Sequence, residues 1–314
     1  MRYSEIIESK NFLSSNSFIE QNLARGTIRS SIGAKSASDE EEKFIGIGQT
    51  GGYEFTKQAE GNIIEACKRA IKFLESKKGK PGRFPIIIDG ILAGLLAHEA
   101  LGHATEADNI LQDSGCLVGK MGKNISQKYV NICDDATENN FTGWGSYYYD
   151  DEGTKSQKNY LIKNGMLNSW LHNIESASML KAKPTGNARA ESVFNPPIIR
   201  MSNTYIKTGG SDFEEMLEEV KEGYYMMGGR GGQVDPPTGN FQFSAEDVYL
   251  IKNKKMVPVK SMSFGGNLLE ILQNISLIGK EYDSSFPGMC GKSGQHVTAG
   301  GTCPKITLKR AIVS

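Results

Sequence analysis

Two histidines and a glutamate stand within six residues, in the segment His98-Glu99-Ala100-Leu101-Gly102-His103. Neutral imidazole nitrogens are favoured zinc ligands, and a neighbouring carboxylate can accept a proton from water that the metal activates. The chain has four histidines, at positions 98, 103, 172 and 296, so this grouping is specific for a short motif. The segment therefore indicates a hydrolytic zinc centre. The alternative is a buried helix in which these side chains only find hydrogen-bond partners.

The five-residue spacing of the two histidines requires a distorted helix. Side chains four residues apart differ by about 40° around a regular α-helix, whereas those five apart differ by about 140°. Both rings can face one ion only if the segment contains a π-bulge or opens at Gly102. Glycine has the backbone freedom that such a distortion needs.

A catalytic zinc usually has three protein ligands and one open position. Five downstream residues are candidates for the third ligand: Glu106, Asp108, Cys290, His296 and Cys303. The two carboxylates are more typical of groups that support a ligand at a helix end. Cys290 stands among glycines that can form a sharp turn, and Lys292 would help to keep its thiol ionised. A separate structural zinc held by Cys290, His296 and Cys303 has unconvincing spacing. Composition and spacing leave the third ligand open.

Hydrophobic periodicity places the motif on a buried helix that follows a buried strand. Residues 84–88 read as the strand, and residues 91–108 read as one mostly apolar helix. A strand that leads into a buried helix provides a rigid base for metal ligands. Upstream, residues 59–77 form an amphipathic helical pattern, and residues 1–57 read as irregular strands and loops. The basic, Gly/Pro-rich residues 77–83 indicate a joint between two domains.

The rest of the chain reads mainly as strands with glycine-rich turns. Residues 160–165 predict a hairpin closed by Asn164-Gly165, the favoured two-residue turn. Helices are expected near Ser211, with Glu214 completing a capping box, and over residues 267–278. The pattern predicts an α+β fold: a β-rich mixed architecture with a buried metal-binding helix and antiparallel sheets.

Composition limits the class of protein. Lys and Arg total 36 and Asp and Glu total 36, which removes the strongest electrostatic argument for a nucleic-acid partner. Five cysteines, an odd number without a pairing pattern, favour a reducing compartment. The start of the chain is polar, and its longest apolar run, residues 86–97, contains Asp89 and is too short for a bilayer. A soluble, cytoplasmic protein without a membrane or nucleic-acid partner is expected.

The metal motif, followed by Glu106-Ala107-Asp108, resembles that of the TldD/PmbA family of metallopeptidases. Further similar motifs occur in the family's order: Asp150-Asp151-Glu152-Gly153-Thr154, Gly186-Asn187-Ala188-Arg189, Arg200-Met201-Ser202-Asn203-Thr204, Gly231-Gly232-Gln233-Val234-Asp235 and Met289-Cys290-Gly291-Lys292-Ser293-Gly294-Gln295. The resemblance covers residue 81 to the end. It implies a catalytic metallopeptidase domain at 81–314, preceded at 1–80 by part of the family's longer N-terminal domain.

The resemblance implies that His98, His103 and Cys290 bind Zn²⁺ and that Glu99 is the general base. It implies a peptidase that acts on unfolded or extended peptides, as a homodimer or as a heterodimer with a paralogue. Arg189 is a candidate substrate-binding residue or oxyanion donor, although it can equally be a structural ion-pair partner. Two other functions remain open: a non-catalytic peptide-binding subunit or scaffold, and an amidohydrolase that acts on a small metabolite.

Overall fold

The computed structural model of the chain describes residues 1–285 and 287–314. The strands are β1 (Arg2–Leu13), β2 (Phe18–Lys35), β3 (Glu40–Thr50), β4 (Gly82–Ile88), β5 (Ile132–Asp135), β6 (Lys158–Lys163), β7 (Met166–Leu167), β8 (Ala188–Arg189), β9 (Ile198–Ile199), β10 (Thr204–Ile206), β11 (Glu222–Asp235), β12 (Asn240–Lys252), β13 (Lys255–Val259), β14 (Ser263–Asn267), β15 (Ile275–Ser285), β16 (Gly288–Lys292), β17 (Gln295–Ala299) and β18 (Thr302–Val313). The α-helices are α1 (Ala59–Phe73), α2 (Gly90–Leu95), α3 (Ala107–Leu111), α4 (Glu138–Phe141), α5 (Ile174–Met179), α6 (Phe213–Val220) and α7 (Leu268–Asn274). A π-helix, Leu96–Gly102, follows α2 directly. The predicted α+β architecture with antiparallel sheets is confirmed.

The N-terminal residues form a regular sheet instead of the irregular strands and loops expected for 1–57. β1, β2 and β3 pair in sequence order, each antiparallel to the next. The half-buried positions of β1 lie on one face, but three of the four, Ser4, Glu8 and Lys10, are polar, so the apolar alternation that marks a half-buried strand is missing from the sequence. Continuous backbone pairing forms the strands instead. α1 packs on β2 and β3 and ends at Phe73, four residues before the expected end.

The largest sheet places the metal motif. Its strands follow the order β11-β4-β18-β14-β12-β13, and a further pairing of β11 with β12 closes part of this order into a ring. β4 runs parallel to β11 and antiparallel to β18, which buries Ile86, Ile87 and Ile88 completely. Both neighbours hold β4 along its last residues, so the helix that follows starts from a fixed point.

Asp89 connects β4 to α2. Its side chain caps the helix by accepting the Leu92 N–H at 2.9 Å, and it also accepts the Gly228 N–H of β11 at 2.8 Å. Burial raises the pKa of this carboxyl to about 7, although both backbone donors lower it. One side chain therefore begins the helix and fixes it to the neighbouring strand.

Three other local predictions can be compared with the structure. The hairpin at 160–165 is confirmed, with Asn164 and Gly165 at positive φ between β6 and β7. The capping box expected from Ser211 and Glu214 lies one residue later, at Asp212 and Glu215. The helix expected over 267–278 ends at Asn274, because Ile275 is extended and pairs with β18.

The division of the chain at residue 80 remains a prediction. In the described part of the chain, no helix is both long and apolar enough to cross a bilayer.

Candidate metal centre

The helix that carries the motif is a π-helix over Leu96–Gly102, as the five-residue spacing predicts. The backbone N–H of His103 donates to the carbonyl of His98, which is the i+5 to i bond that defines this helix type. Residues five apart are thus stacked one turn above each other. The two imidazole rings have centroids 5.4 Å apart and are nearly perpendicular, at 83°. The distortion brings both rings to one side of the helix.

Gly102 is required in this segment because a side chain would not fit there. The backbone freedom of glycine, which the sequence suggested as its role, is not used. Its φ and ψ are both −55°, within the ordinary helical region. A Cβ atom at this position would lie 2.0 Å from the sulfur of Met201 and 3.3 Å from the carbonyl oxygen of Ala97. Met201 is fully buried, so its side chain has little room to move away.

Replacing Gly102 by alanine is expected to lower the free energy of unfolding by about 1–3 kcal/mol, because it overpacks the core beside His103. Urea denaturation measures this loss. Gly61→Ala in α1 is the matched control, because no atom lies within 4 Å of its Cβ position. That change should stabilise the protein by about 0.5–1 kcal/mol. Equal effects of the two variants would show that the contact with Met201 does not constrain position 102.

Cys290 reaches this helix from the other end of the chain. Its Sγ lies 3.4 Å from Nε2 of His103, and the ligand atoms of His98, His103 and Cys290 all lie within 4.8 Å of one another. Around a tetrahedral zinc, neighbouring nitrogen and sulfur ligands are separated by roughly 3.3–3.7 Å. Two imidazoles and a thiolate also form a donor set that suits this metal. The three residues therefore fit zinc by chemistry and spacing, and their assignment as ligands remains a prediction.

The two closest ligand candidates polarise each other. Burial alone would raise the pKa of the Cys290 thiol, but hydrogen bonds and charge from His103 and His98 lower it to about 4. Burial alone would lower the pKa of His103, but its bonds to Cys290 and Glu106 raise it to about 10. The lowered pKa of Cys290 favours its thiolate, the form that binds metals.

Glu99 lies next to His103 at this site. One carboxylate oxygen, Oε2, is 3.7 Å from Nε2 of His103, and 38% of the side chain is exposed. A carboxylate at this position can accept a proton from water that enters between it and the ligand atoms. Its role as general base remains a prediction.

Of Glu106 and Asp108, which the sequence suggested as supporting groups, Glu106 contacts His103 and Asp108 contacts Lys292. Glu106 Oε2 accepts the Nδ1–H of His103 at 3.0 Å, on the opposite edge of the ring from Cys290. Lys292 contacts both carboxylates, at 3.1 Å from Glu106 and 2.6 Å from Asp108. These residues can orient His103, whereas the group of possible ligand atoms consists of His98, His103 and Cys290.

The other candidate ligands lie elsewhere. Cys303 is fully buried, its sulfur accepts the Ile206 N–H, and burial raises the pKa of its thiol to about 12. His296 is exposed, and its backbone N–H donates to Glu191. Within residues 1–285 and 287–314, no group of possible metal ligands combines Cys290 with His296 and Cys303. The considered second zinc site is therefore not formed.

Arg189 is buried and bonded within the protein. Its guanidinium donates to the carbonyls of Met201 and Thr298, at 2.7 and 2.6 Å, and stacks on Tyr147. These bonds give Arg189 a structural role, and a role in substrate binding remains a prediction.

Arg200 has no function predicted from the sequence. It is fully buried and donates to the carbonyls of Cys290 and Gln295. It fixes the hairpin that presents the Cys290 thiolate. The sequence signal for this residue is its place in the motif Arg200-Met201-Ser202-Asn203-Thr204, which resembles a motif of the metallopeptidase family.

Proteins with similar sequences are described as metallopeptidases. A family model described as the PmbA/TldA metallopeptidase C-terminal domain matches residues 81–314. A metalloprotease of Methanocaldococcus jannaschii is 41% identical over 95% of this chain and 66% of its own length. A zinc metalloprotease TldD homolog of Saccharolobus solfataricus is 35% identical over 77% of this chain and 54% of its own length. The chain thus spans about half to two thirds of the length of these two relatives.

Solved structures share the fold. A protein from Thermotoga maritima described as a modulator of a DNA gyrase has a TM-score of 0.81 at 22% identity, covering 99% of this chain and 68% of its own. TldE from Thermococcus kodakarensis has a TM-score of 0.76 at 21% identity, covering 95% of this chain and 64% of its own. At this level of identity the likeness concerns the fold.

Proposed function

Because the chain belongs to the PmbA/TldA metallopeptidase family, we propose that it is a zinc-dependent peptidase that hydrolyses amide bonds of unfolded or extended peptides. One observation carries the proposal: the π-helix and the β16–β17 hairpin bring His98, His103 and Cys290 together, with the partly exposed Glu99 carboxylate 3.7 Å from Nε2 of His103. This arrangement provides three ligands and a base, which is the minimum set for metal-assisted hydrolysis.

Each residue has a distinct task in this mechanism. His98, His103 and Cys290 would hold the metal ion, and Glu106 orients the His103 ring by accepting its Nδ1–H. The chemistry that zinc supplies when bound is Lewis acidity toward water and toward the amide carbonyl. Glu99 takes the proton from the attacking water and delivers it to the nitrogen of the leaving amine. One partly exposed carboxylate therefore transfers this proton from the water to the amine.

The edge of β11 supports an extended peptide as substrate. β11 pairs with β12 along its length, but it pairs with β4 only over residues 224–226. Beyond that point residues 229–233 are exposed, and the pairing with β12 is irregular between Gly229 and Gly232. A Cβ atom on Gly229 would lie 2.5 Å from Leu95, the last residue of α2 before the π-helix. An extended chain that pairs with this edge would run beside the metal helix and needs no particular sequence.

The alternative of a small-metabolite amidohydrolase has less support. A cavity of about 460 Å³ lies between the β1–β2 hairpin and residues 190–197, and its walls contain none of the three ligand candidates. A peptide along an open strand edge accounts better for the partly exposed Glu99. The placement of that carboxylate also favours an active peptidase over a non-catalytic peptide-binding subunit or scaffold.

Two further aspects belong to this proposal. The likeness to TldE suggests that the chain pairs with a paralogue of the same fold, or with a second copy of itself. All five cysteines are free thiols, so a cytoplasmic location would keep Cys290 reduced and able to bind zinc.

Zinc content tests the proposal directly. The wild type should hold about one zinc per chain, whereas Cys290→Ala should hold little after dialysis, because only two imidazoles remain to bind it. Cys67→Ala, which removes an exposed thiol outside the site, is the matched control and should keep its zinc. Metal analysis by mass spectrometry gives the ratio. Zinc that is absent from the wild type, or that is kept equally by Cys290→Ala, contradicts the three-ligand site.

A further inference from the structure

Lys292 joins the two parts of the chain from which the metal centre is built. It lies two residues after Cys290 on β16, so both side chains project from the same face of that strand. Its ammonium group has three acceptors: Glu106 Oε2 at 3.1 Å, Asp108 Oδ2 at 2.6 Å and the carbonyl of Ile199 at 3.2 Å. Three acceptors match the three N–H donors of a lysine. The side chain is therefore held in one position.

Glu106 is the acceptor that connects Lys292 to a metal ligand. Its side chain is 1% exposed, and the same oxygen, Oε2, contacts both the Lys292 ammonium and the Nδ1–H of His103. Its other oxygen, Oε1, is buried without a hydrogen-bond partner among the residues that the structure describes. Contacts to Lys292 and His103 are thus what compensates the burial of this carboxylate.

We propose that Lys292 and Glu106 are positioning residues that hold the Cys290 strand and the His103 helix together before a metal binds. The proposal rests on the metal site proposed above. In the chain Cys290–β16–Lys292–Glu106–His103, each link is a covalent segment or a contact of at most 3.1 Å. Carboxylates that bind the second nitrogen of a ligand histidine fix its tautomer and its direction. Lys292 extends this function to the third ligand, because it fixes the strand that presents the thiolate.

Because Lys292 is charged, the direction in which zinc affinity changes on its replacement distinguishes a positioning role from a purely electrostatic one. A cation this close to a zinc site repels the metal, so removal of its charge alone would strengthen zinc binding. Loss of a positioning contact should instead weaken it. We expect Lys292→Met to raise the zinc dissociation constant about 10–100-fold, the range found for groups behind metal ligands. Competition with a chromophoric chelator measures this constant.

A double-mutant comparison tests whether the two residues act through one contact. Glu106→Gln keeps an acceptor for the His103 Nδ1–H but removes the ion pair with Lys292. We expect about a 10-fold loss of zinc affinity from this variant. The double variant should bind zinc about as weakly as Lys292→Met alone, since both changes break the same ion pair. Losses that multiply fully in the double variant would show that the residues act independently, against the proposal.

Cobalt substitution provides a readout that a general loss of stability would not change. Co²⁺ in the wild-type site should give intense visible bands of a tetrahedral centre and a near-ultraviolet band from the Cys290 thiolate. In Lys292→Met at saturating Co²⁺, the thiolate band should weaken while thermal denaturation still shows a folded protein. Lys254→Met, which breaks an ion pair with Glu218 on the surface, should leave both bands unchanged.

The outcomes separate this inference from the proposed function. If Lys292→Met binds zinc as tightly as the wild type, or more tightly, the positioning role is wrong, while the site stands if Cys290→Ala has lost zinc. If the wild type itself binds no zinc, both fail. Should Lys292→Met not fold, Asp108→Ala removes one of the three acceptors at a position that is 35% exposed. That variant should lose zinc affinity a few-fold, and unchanged affinity would contradict the proposal.

Discussion

Replacing Glu99 by glutamine should lower kcat for the hydrolysis of an unfolded peptide by about 10²–10⁴-fold, while zinc content stays unchanged. The amide keeps the size of the side chain but cannot accept a proton from water. Glu99 is not among the three clustered ligand candidates, and its carboxylate lies 3.7 Å from Nε2 of His103. Loss of its charge should therefore reduce catalysis without emptying the site. Cleavage of a fluorogenic peptide without stable structure, with zinc measured on the same sample, tests this expectation.

Glu65→Gln is the matched control for this experiment. Glu65 is an exposed helical glutamate whose only close ion pair among the described residues is with Lys68, at 3.7 Å. It should leave both kcat and zinc unchanged. A Glu99→Gln protein that retains zinc and cleaves within fivefold of wild type would remove Glu99 from the role of base. A zinc-loaded wild type that cleaves no unfolded peptide would favour the non-catalytic scaffold.

The half of the metal centre that is close in sequence could be predicted, and the reason is geometric. Two histidines five residues apart cannot face one ion from a regular α-helix, so the spacing predicted either a π-bulge or an opening at Gly102. The structure has the first of these, a π-helix at Leu96–Gly102. The third ligand had no such constraint. Cys290 is 187 residues from His103, and their contact depends on the register of β16 against its neighbours. Residue types alone left it one of five candidates, and the family resemblance singled it out.

Two other features could not be predicted from the sequence, namely the buried charged residues Arg200 and Lys43 and the regular strand β1, because their residue types usually occur elsewhere in proteins. Arginine and lysine are almost never fully buried unless they are paired, so Arg200 and Lys43 gave no sign of a core position. Both are 0% exposed in the structure. Likewise, β1 places polar Ser4, Glu8 and Lys10 at half-buried positions, so its sequence lacks an apolar alternation and a regular strand looked irregular. The misses share one cause: tertiary partners set these environments.

Lys43 and Asp247 form a buried ion pair that attaches the N-terminal sheet to the large sheet. Lys43 Nζ on β3 lies 2.6 Å from Asp247 Oδ1 on β12, and both side chains are 0% exposed. The ammonium also lies 4.4 Å from the ring centre of Phe73 on α1, and Arg69 of the same helix contacts the Asp247 carboxylate. Three elements from both sides of residue 80 therefore meet at one carboxylate.

Asp247→Asn is expected to lower the free energy of unfolding by about 3–5 kcal/mol, because it leaves the buried Lys43 ammonium without its closest counter-charge. Glu41, at 3.4 Å, compensates only in part. Urea denaturation measures the loss. Lys68→Met, which breaks an exposed pair on α1, is the control and should change stability by less than about 0.5 kcal/mol. A similarly small effect of Asp247→Asn would mean that Glu41 and water are sufficient partners for Lys43.

The double variant Lys43→Met/Asp247→Leu decides whether charge or attachment matters at this junction. Hydrophobic residues of similar volume often replace a buried ion pair at little cost, because both desolvation penalties disappear with the charges. The double variant should therefore recover most of the stability that Asp247→Asn loses. Recovery would show that the ion pair adds little net stability and acts mainly by specifying how the N-terminal sheet contacts the large sheet. If the double variant is as unstable as Asp247→Asn, the bonds of Asp247 to Lys43 and Arg69 themselves hold the N-terminal sheet in place.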